Sequence, residues 1–238
     1  MKTILITGAN KGIGFETARQ LAQLGYFVYL GSRDKARGSD AVKKLKSSGI
    51  SNIAFLEIDV TDTGSIKQAK NELESKIDAL DILINNAGIG GGQPQNISEC
   101  KIENLRRVFE TNFFGAVQTT QHFIGLLKKS AEPVIVNVSS ELGSLTTHNS
   151  TQNPNYKIYD VYSCSKTALN AFTVMLANEF RDTNFRINSV TPGYTATDLN
   201  HFKGTQTVEQ GAGYIVKCVT QGTVADTGKF FREGEIPW

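Results

Sequence analysis

Short apolar runs and longer stretches of helical period alternate along this chain almost from end to end, and no other feature narrows its fold as much. Thr3 to Thr7 is apolar, and Gly14 to Leu24 then sets Phe15, Ala18, Leu21 and Ala22 at the spacing of one helix face. The pairing recurs with a strand at Tyr26 to Leu30 before a helix at Lys35 to Lys46, and a strand at Ile53 to Ile58 before a helix at Ser65 to Lys76. A strand at Ile82 to Ile84 precedes one long helix from Ile102 to Lys128. Then come a strand at Val134 to Val138, a helix at Tyr162 to Arg181 and a strand at Phe185 to Val190. Strands joined by helical crossovers run parallel and are covered on both faces. The right-handedness of such crossovers leaves little topological freedom. The expectation is an α/β chain with a doubly wound parallel sheet, in a single domain spanning 1–238.

The first strand opens into its helix through Thr7-Gly8-Ala9-Asn10-Lys11-Gly12-Ile13-Gly14. Gly8 permits a sharp turn, Gly12 lets backbone approach a pyrophosphate, and Gly14 allows tight packing of helix on strand. The helix N-terminus behind them offers N–H groups and the positive end of its dipole to an anion. The spacing is G-x-x-x-G-x-G, where Rossmann-type dinucleotide folds are usually quoted with G-x-G-x-x-G. Its place between a terminal strand and a helix favours a phosphate-binding turn over an ordinary junction, and a Rossmann-type sheet with it. Two polar stretches, Gly143 to Asp160 and Thr195 to Val208, fall beyond strand ends, where open α/β sheets bind ligands.

Composition excludes several alternatives. Lys and Arg are scattered over a chain of net charge +2, without the basic stripe expected of a nucleic-acid partner. No apolar run approaches bilayer length, and the apolar part of the N-terminus is too short for a signal peptide. Cys100, Cys164 and Cys218 lack the paired spacing of a metal site or disulfide framework. No metal is expected, and free thiols fit a cytoplasmic protein.

Taken together, Thr7-Gly8-x-x-x-Gly12-Ile13-Gly14, Asp59-Val60, Asn85-Asn86-Ala87-Gly88, Asn112, Ser140, Tyr162-x-x-x-Lys166 and Pro192-Gly193 resemble, in order, the motifs of the short-chain dehydrogenase/reductase family. The resemblance covers nearly the whole chain. It implies a nicotinamide dinucleotide held at Gly8, Asn10, Lys11, Gly12, Ile13 and Gly14. Asp59 would accept from the adenine amino group and Val60 would add a backbone contact, while Asp62 could serve instead as a helix cap. Asn86, Ala87 and Gly88 would bring backbone to the adenine ribose. Pro192, Gly193, Thr195 and Thr197 would receive the nicotinamide amide and the phosphates.

The second strand runs into Gly31-Ser32-Arg33-Asp34, so Arg33 stands where a cation would meet an adenosine 2′-phosphate, and Lys11 can approach the same group. A phosphate dianion needs cations, and an acid at this place repels it. These residues point to NADP(H) and resemble the carbonyl reductase branch of the family, although Asp34 complicates the pattern.

Tyr162 and Lys166 are four apart in a helical stretch and share a face. A free tyrosine titrates near ~10. A neighbouring ammonium favours the phenolate, so a lowered Tyr162 pKa is expected. By resemblance, Tyr162 donates a proton to a carbonyl oxygen, Ser140 hydrogen-bonds that oxygen, and Lys166 also bonds the nicotinamide ribose. Asn112 holds a water that links Lys166 to solvent. Adjacent side chains at a strand end point oppositely, and the resemblance puts the catalytic hydroxyl on Ser140, which leaves Ser139 to packing or turn chemistry.

Ser140 and Tyr162 are separated by a polar insert around Thr146 to Lys157. By resemblance to monomeric carbonyl reductases it covers helices used elsewhere for assembly, so a monomer or weak dimer is expected. The segment Thr227 to Gly234 also resembles that branch. The leading expectation is reduction of a ketone, aldehyde or quinone with NADPH. The alternatives are an NAD(P)-dependent alcohol dehydrogenase working oxidatively and a dinucleotide-sensing regulator without chemistry. The substrate pocket would draw on the insert, Tyr194 to Phe202 and the region after Gly88, with His148, His201 and Trp238 as further candidates.

Overall fold

The computed structural model describes residues 1–150, 159–221 and 226–238. Its centre is a parallel sheet built from β1 (Thr3–Ile6), β2 (Phe27–Ser32), β3 (Ile53–Glu57), β4 (Ile82–Asn85), β5 (Val134–Val138), β6 (Arg186–Val190) and β7 (Phe230–Phe231). The spatial order is β3-β2-β1-β4-β5-β6-β7. From β1 the chain builds outward on one side through β2 and β3, then returns to β4 and builds outward on the other. The carboxyl ends of β1 and β4 therefore flank the crevice where the direction of winding reverses, the place where such sheets take ligands.

The helices are α1 (Gly12–Gln23), α2 (Lys35–Ser47), α3 (Thr63–Glu74), α4 (Ile102–Phe109), α5 (Gly115–Leu127), α6 (Leu145–His148), α7 (Asp160–Glu179) and α8 (Val208–Gln221). Strand side chains alternate between two cores. Ile4, Ile6, Val28, Leu30, Ile84 and Val136 meet apolar residues of α1, α2 and α8. Leu5, Tyr29, Leu83, Ile135 and Ile187 meet those of α3, α5 and α7. Both faces being dry, the strands read as unbroken apolar runs.

Two expectations are corrected. The long helix over 102–128 is interrupted by a turn of π-helix at Glu110–Phe114, between α4 and α5. One extra residue in the turn is invisible to a 3.6-residue period, and such wide turns mark functional sites. The seventh strand, β7, is two residues long and pairs with β6 at Ser189 and Val190. No alternation can register over so short a run.

A chain of buried hydrogen bonds ties α7 to the sheet. Asn85 Nδ2 donates to Asn137 Oδ1 (2.9 Å), Asn137 Nδ2 donates to Thr173 Oγ1 (2.8 Å), and Thr173 Oγ1 lies 2.8 Å from Ser189 Oγ. In a dry interior such a network fixes one arrangement, because any slip strands polar groups without partners. A single 3₁₀ turn at Glu141–Gly143 and then α6 lead into the insert. The rest of it, on which the expected covering of the assembly helices depends, lies at 151–158 outside the described residues.

Candidate active site

The glycine turn is built by close approach. Gly8 (φ +63°) and Gly12 (φ +58°) occupy the left-handed region. A Cβ on Gly8 would lie 2.8 Å from Ala87 Cα, and one on Gly14 would strike Asn86 Nδ2 and sit 2.9 Å from the Gly8 carbonyl oxygen. Asn86 is placed there to brace the loop. Its Nδ2 donates to the carbonyls of Thr7 (2.8 Å) and Gly8 (3.1 Å), while Thr7 Oγ1 accepts the N–H groups of Asn86 (3.0 Å) and Ala87 (3.1 Å). The loops after β1 and β4 are thus stitched together. Thr7 and the Asn86 side chain are functional in this sense, a role that motif spacing alone does not reveal.

The N-terminus of α1 suits an anion. Lys11, its flanking residue, is extended and makes no side-chain cap, and no acidic residue stands in the first turn. The first-turn N–H groups and the dipole are therefore open to an anion, and a nucleotide phosphate fits this cradle. Gly14→Ala is expected to displace Asn86 and lower stability by about 1–3 kcal/mol, the cost of leaving buried polar groups unpaired. Thermal melts with and without dinucleotide would show both a lower Tm and a smaller ligand-induced rise. An unchanged rise would mean that this turn does not hold the dinucleotide.

Asn112, on the π turn, is 1% exposed. Its Oδ1 accepts the Ile89 N–H (2.8 Å), and its Nδ2 donates to the Ile89 carbonyl (3.0 Å) and to Ser165 Oγ (3.0 Å). Ser165, in turn, donates to the Tyr162 carbonyl (2.6 Å). Lys166 is buried, and its Nζ donates to the Val138 carbonyl at the end of β5 (2.7 Å). A Cβ placed on Gly88 would be 3.4 Å from Asn112 Oδ1 and 3.6 Å from Lys166 Nζ. Asn112 and Lys166 therefore converge on the loop after β4.

Ser140 and Tyr162 meet from opposite directions, β5 supplying one and α7 the other. Their side chains are neighbours, Ser140 being placed to favour the phenolate, and Lys166 Nζ lies 5.7 Å from the centre of the Tyr162 ring. Ser139, by contrast, is buried with its hydroxyl toward the Lys166 carbonyl. The expected lowering of the Tyr162 pKa is not what the environment produces. Burial pushes the phenol up to about 12, the Ser140 hydroxyl offsetting only part of this, and burial pushes Lys166 down to about 8. Desolvation disfavours both charged forms.

The remaining candidates spread along the crevice. Asp34 is not turned to it. Its carboxylate caps α2 by accepting the Arg37 N–H (3.0 Å) and pairs with the Arg37 side chain (3.3 Å), leaving Arg33 as the exposed charge at the end of β2. Lys11 Nζ is paired with Asp198 across to the segment after β6 (2.6 Å), both side chains being largely exposed. Asn10 and Ile13 stay with the glycine turn, where the Ile13 carbonyl accepts from Thr17 (2.8 Å). Asp59 accepts from the backbone and hydroxyl of Thr61 (2.9 and 2.8 Å), and Asp62 caps α3. The Val60 carbonyl accepts from Gln118. Gly193 (φ +71°) packs on the Gln206 amide, the buried Thr195 hydroxyl donates to the Pro192 carbonyl (2.8 Å), and Thr197 caps the turn at Asp198–Asn200. Leu199 of that turn closes on Gly90. His148 Nε2 lies 2.8 Å from the Leu142 carbonyl, Trp238 stacks on Phe230, and His201 (φ +53°) is exposed.

The short chain dehydrogenase family pattern matches residues 2–207. A (+)-neomenthol dehydrogenase from Capsicum annuum is 33% identical, over 98% of this chain and 96% of that protein. Salutaridine reductase from Papaver somniferum superposes with a TM-score of 0.85 at 28% identity, over 97% of this chain and 99% of the other. An NADPH-bound carbonyl reductase from chicken fatty liver superposes with a TM-score of 0.87 at 28% identity, over 100% of this chain and 99% of the other. No helix among the described residues is long and apolar enough to cross a membrane. With its motifs, its sheet and these relatives in agreement, the chain belongs to the short-chain dehydrogenase family, oxidoreductases that use a nicotinamide dinucleotide on alcohol and carbonyl groups of small molecules.

Proposed function

We propose that this protein reduces a small-molecule ketone, aldehyde or quinone with NADPH, Tyr162 giving the proton. The observation that carries this reading is the convergence of Tyr162, Lys166 and Asn112 on the loop at Gly88, with Ser140 beside the phenol. A reductase needs an acid at this place, and a phenol pushed up to about 12 stays protonated across the physiological range. The bound nicotinamide would supply the hydride.

Tyr162 would hold the carbonyl oxygen through its O–H and release the proton as negative charge develops there. Ser140 would donate a second hydrogen bond to the same oxygen and stabilise that charge. Lys166, charged, would favour the resulting phenolate and hold the nicotinamide ribose. Asn112 would keep the loop after β4 and the helix bearing Tyr162 at a fixed separation. Gly8, Asn10, Gly12, Ile13 and Gly14 would take the pyrophosphate, and Lys11 and Arg33 the adenosine 2′-phosphate. Asp59, Val60, Asn86, Ala87 and Gly88 would border the adenosine, and Pro192, Gly193, Thr195 and Thr197 the nicotinamide side. The solved NADPH-bound carbonyl reductase supports the choice of cofactor by similarity.

Carbonyl-dependent oxidation of NADPH, measured over a panel of ketones, aldehydes and quinones, tests the reading. Its pH dependence is specific. Tyr162 remains protonated below about 12, and Lys166 is charged below about 8 and neutral above it. Reduction is therefore expected to be level at lower pH and to fall as pH rises through about 8, following the lysine. Lys166→Arg, which keeps its charge, should remove that fall in whatever activity remains. A profile that falls only near the tyrosine's range would take Lys166 out of the mechanism.

A further inference from the structure

We infer that Gln95 is a positioning residue for the reaction, holding the first turn of α7 so that the Tyr162 hydroxyl meets its substrate. This rests on the reading of Tyr162 as proton donor. Gln95 lies in the loop after β4, outside the family's motifs, yet its side chain is buried at 2% exposure. Its Oε1 accepts the backbone N–H of Tyr162 (3.1 Å), and its Nε2 donates to the Gly90 carbonyl (2.8 Å). Both ends of the amide are satisfied, as burial requires.

The Tyr162 N–H belongs to the opening turn of a helix, where donors have no acceptor within the helix. The residue flanking that turn, Tyr159, makes no side-chain cap. Gln95 therefore caps α7 from a different part of the chain. Its bonds also close a ring around the backbone of Tyr162. The Tyr162 N–H reaches Gln95, which reaches Gly90. Next to Gly90, Ile89 is clamped by both ends of the Asn112 amide, and Asn112 donates to Ser165, which donates to the Tyr162 carbonyl. Tyr162 is held at its N–H by Gln95 and at its carbonyl by Ser165, which Asn112 ties to the same loop. Gln95 and Asn112 set the height of the phenol above the crevice, and misplacement of a reacting group by about 1 Å costs on the order of 10²-fold in rate.

The test compares Gln95→Leu, which removes both hydrogen bonds, Gln95→Asn, which is too short to span them, and Gln95→Glu, which keeps an acceptor for the Tyr162 N–H. A carboxylate is also favoured at a helix N-terminus. The expected result is a kcat lowered about 10²-fold in the Leu and Asn variants, with the NADPH Kd and substrate KM unchanged within a few-fold. The Glu variant should recover most of kcat. Should Gln95→Leu fail to fold, Gln95→Asn carries the same expectation. Wild-type kcat in Gln95→Asn, a loss residing in KM or cofactor Kd, or no recovery in Gln95→Glu would overturn the inference. Tyr162→Phe is assayed alongside. Turnover surviving there sinks the proton-donor reading itself, whereas an inactive Tyr162→Phe beside a fully active Gln95→Asn sinks only the role of Gln95.

Discussion

Replacing Tyr162 by Phe is expected to lower kcat by roughly 10²–10⁴-fold, the range that a positioned proton donor contributes, while leaving NADPH affinity within a few-fold. The change deletes one oxygen from a half-buried ring and leaves the backbone ring of hydrogen bonds through Gln95 and Ser165 intact. Ser140 would lose a neighbour for its hydroxyl, but that hydroxyl also accepts the Leu142 N–H (3.2 Å), so its place is kept. Single-turnover kinetics and fluorescence titration of NADPH separate the two effects. Retention of more than roughly a tenth of wild-type kcat would show that another group or water delivers the proton. Equal loss of cofactor affinity would instead mean that the phenol serves binding.

The order of strands and helices was legible because both faces of the sheet are covered, which turns each strand into a continuous apolar run. Ile4, Leu5 and Ile6 face alternately into two cores, so a single short run serves both. The motif residues were legible for a related reason. Gly8 and Gly14 have no room for a Cβ, and that constraint is written directly as glycine. What escaped was whatever depends on contact between distant segments. Gln95 sits in a Gly- and Pro-containing loop, where one glutamine looks like any solvated residue until α7 is packed on it. The π turn under Asn112 and the short β7 have no period of their own. The direction of the Tyr162 shift escaped for an electrostatic reason. Spacing on a helix gave the proximity of Lys166 but not the depth of burial, and depth decides the sign.

Cofactor preference is where the second large effect is expected. In Arg33→Asp combined with Lys11→Ala, the NADPH KM should rise by about 10²-fold or more, since charge-assisted hydrogen bonds contribute up to about 3 kcal/mol each. The NADH KM should stay level or fall. Several family members use an acid at the end of β2 for the ribose diol, and the acid present here is committed elsewhere. Asp34 caps α2 and pairs with Arg37, which offsets part of its charge and turns its oxygens to the helix. An aspartate at position 33 would add the missing acceptor while removing a cation. Lys11 is a shared group, since the same ammonium that would meet the phosphate is paired with Asp198. Its removal costs NADPH a cation and frees the Thr197–Asn200 turn from the glycine loop, so its effect should be the smaller of the two. Both side chains are exposed, and screening must show if they act by charge. The wild-type preference for NADPH should therefore shrink as ionic strength rises, and the double variant should lose that salt dependence. A preference unchanged by salt, or equal losses for both cofactors, would leave Arg33 and Lys11 as surface residues and move the 2′-phosphate contact elsewhere.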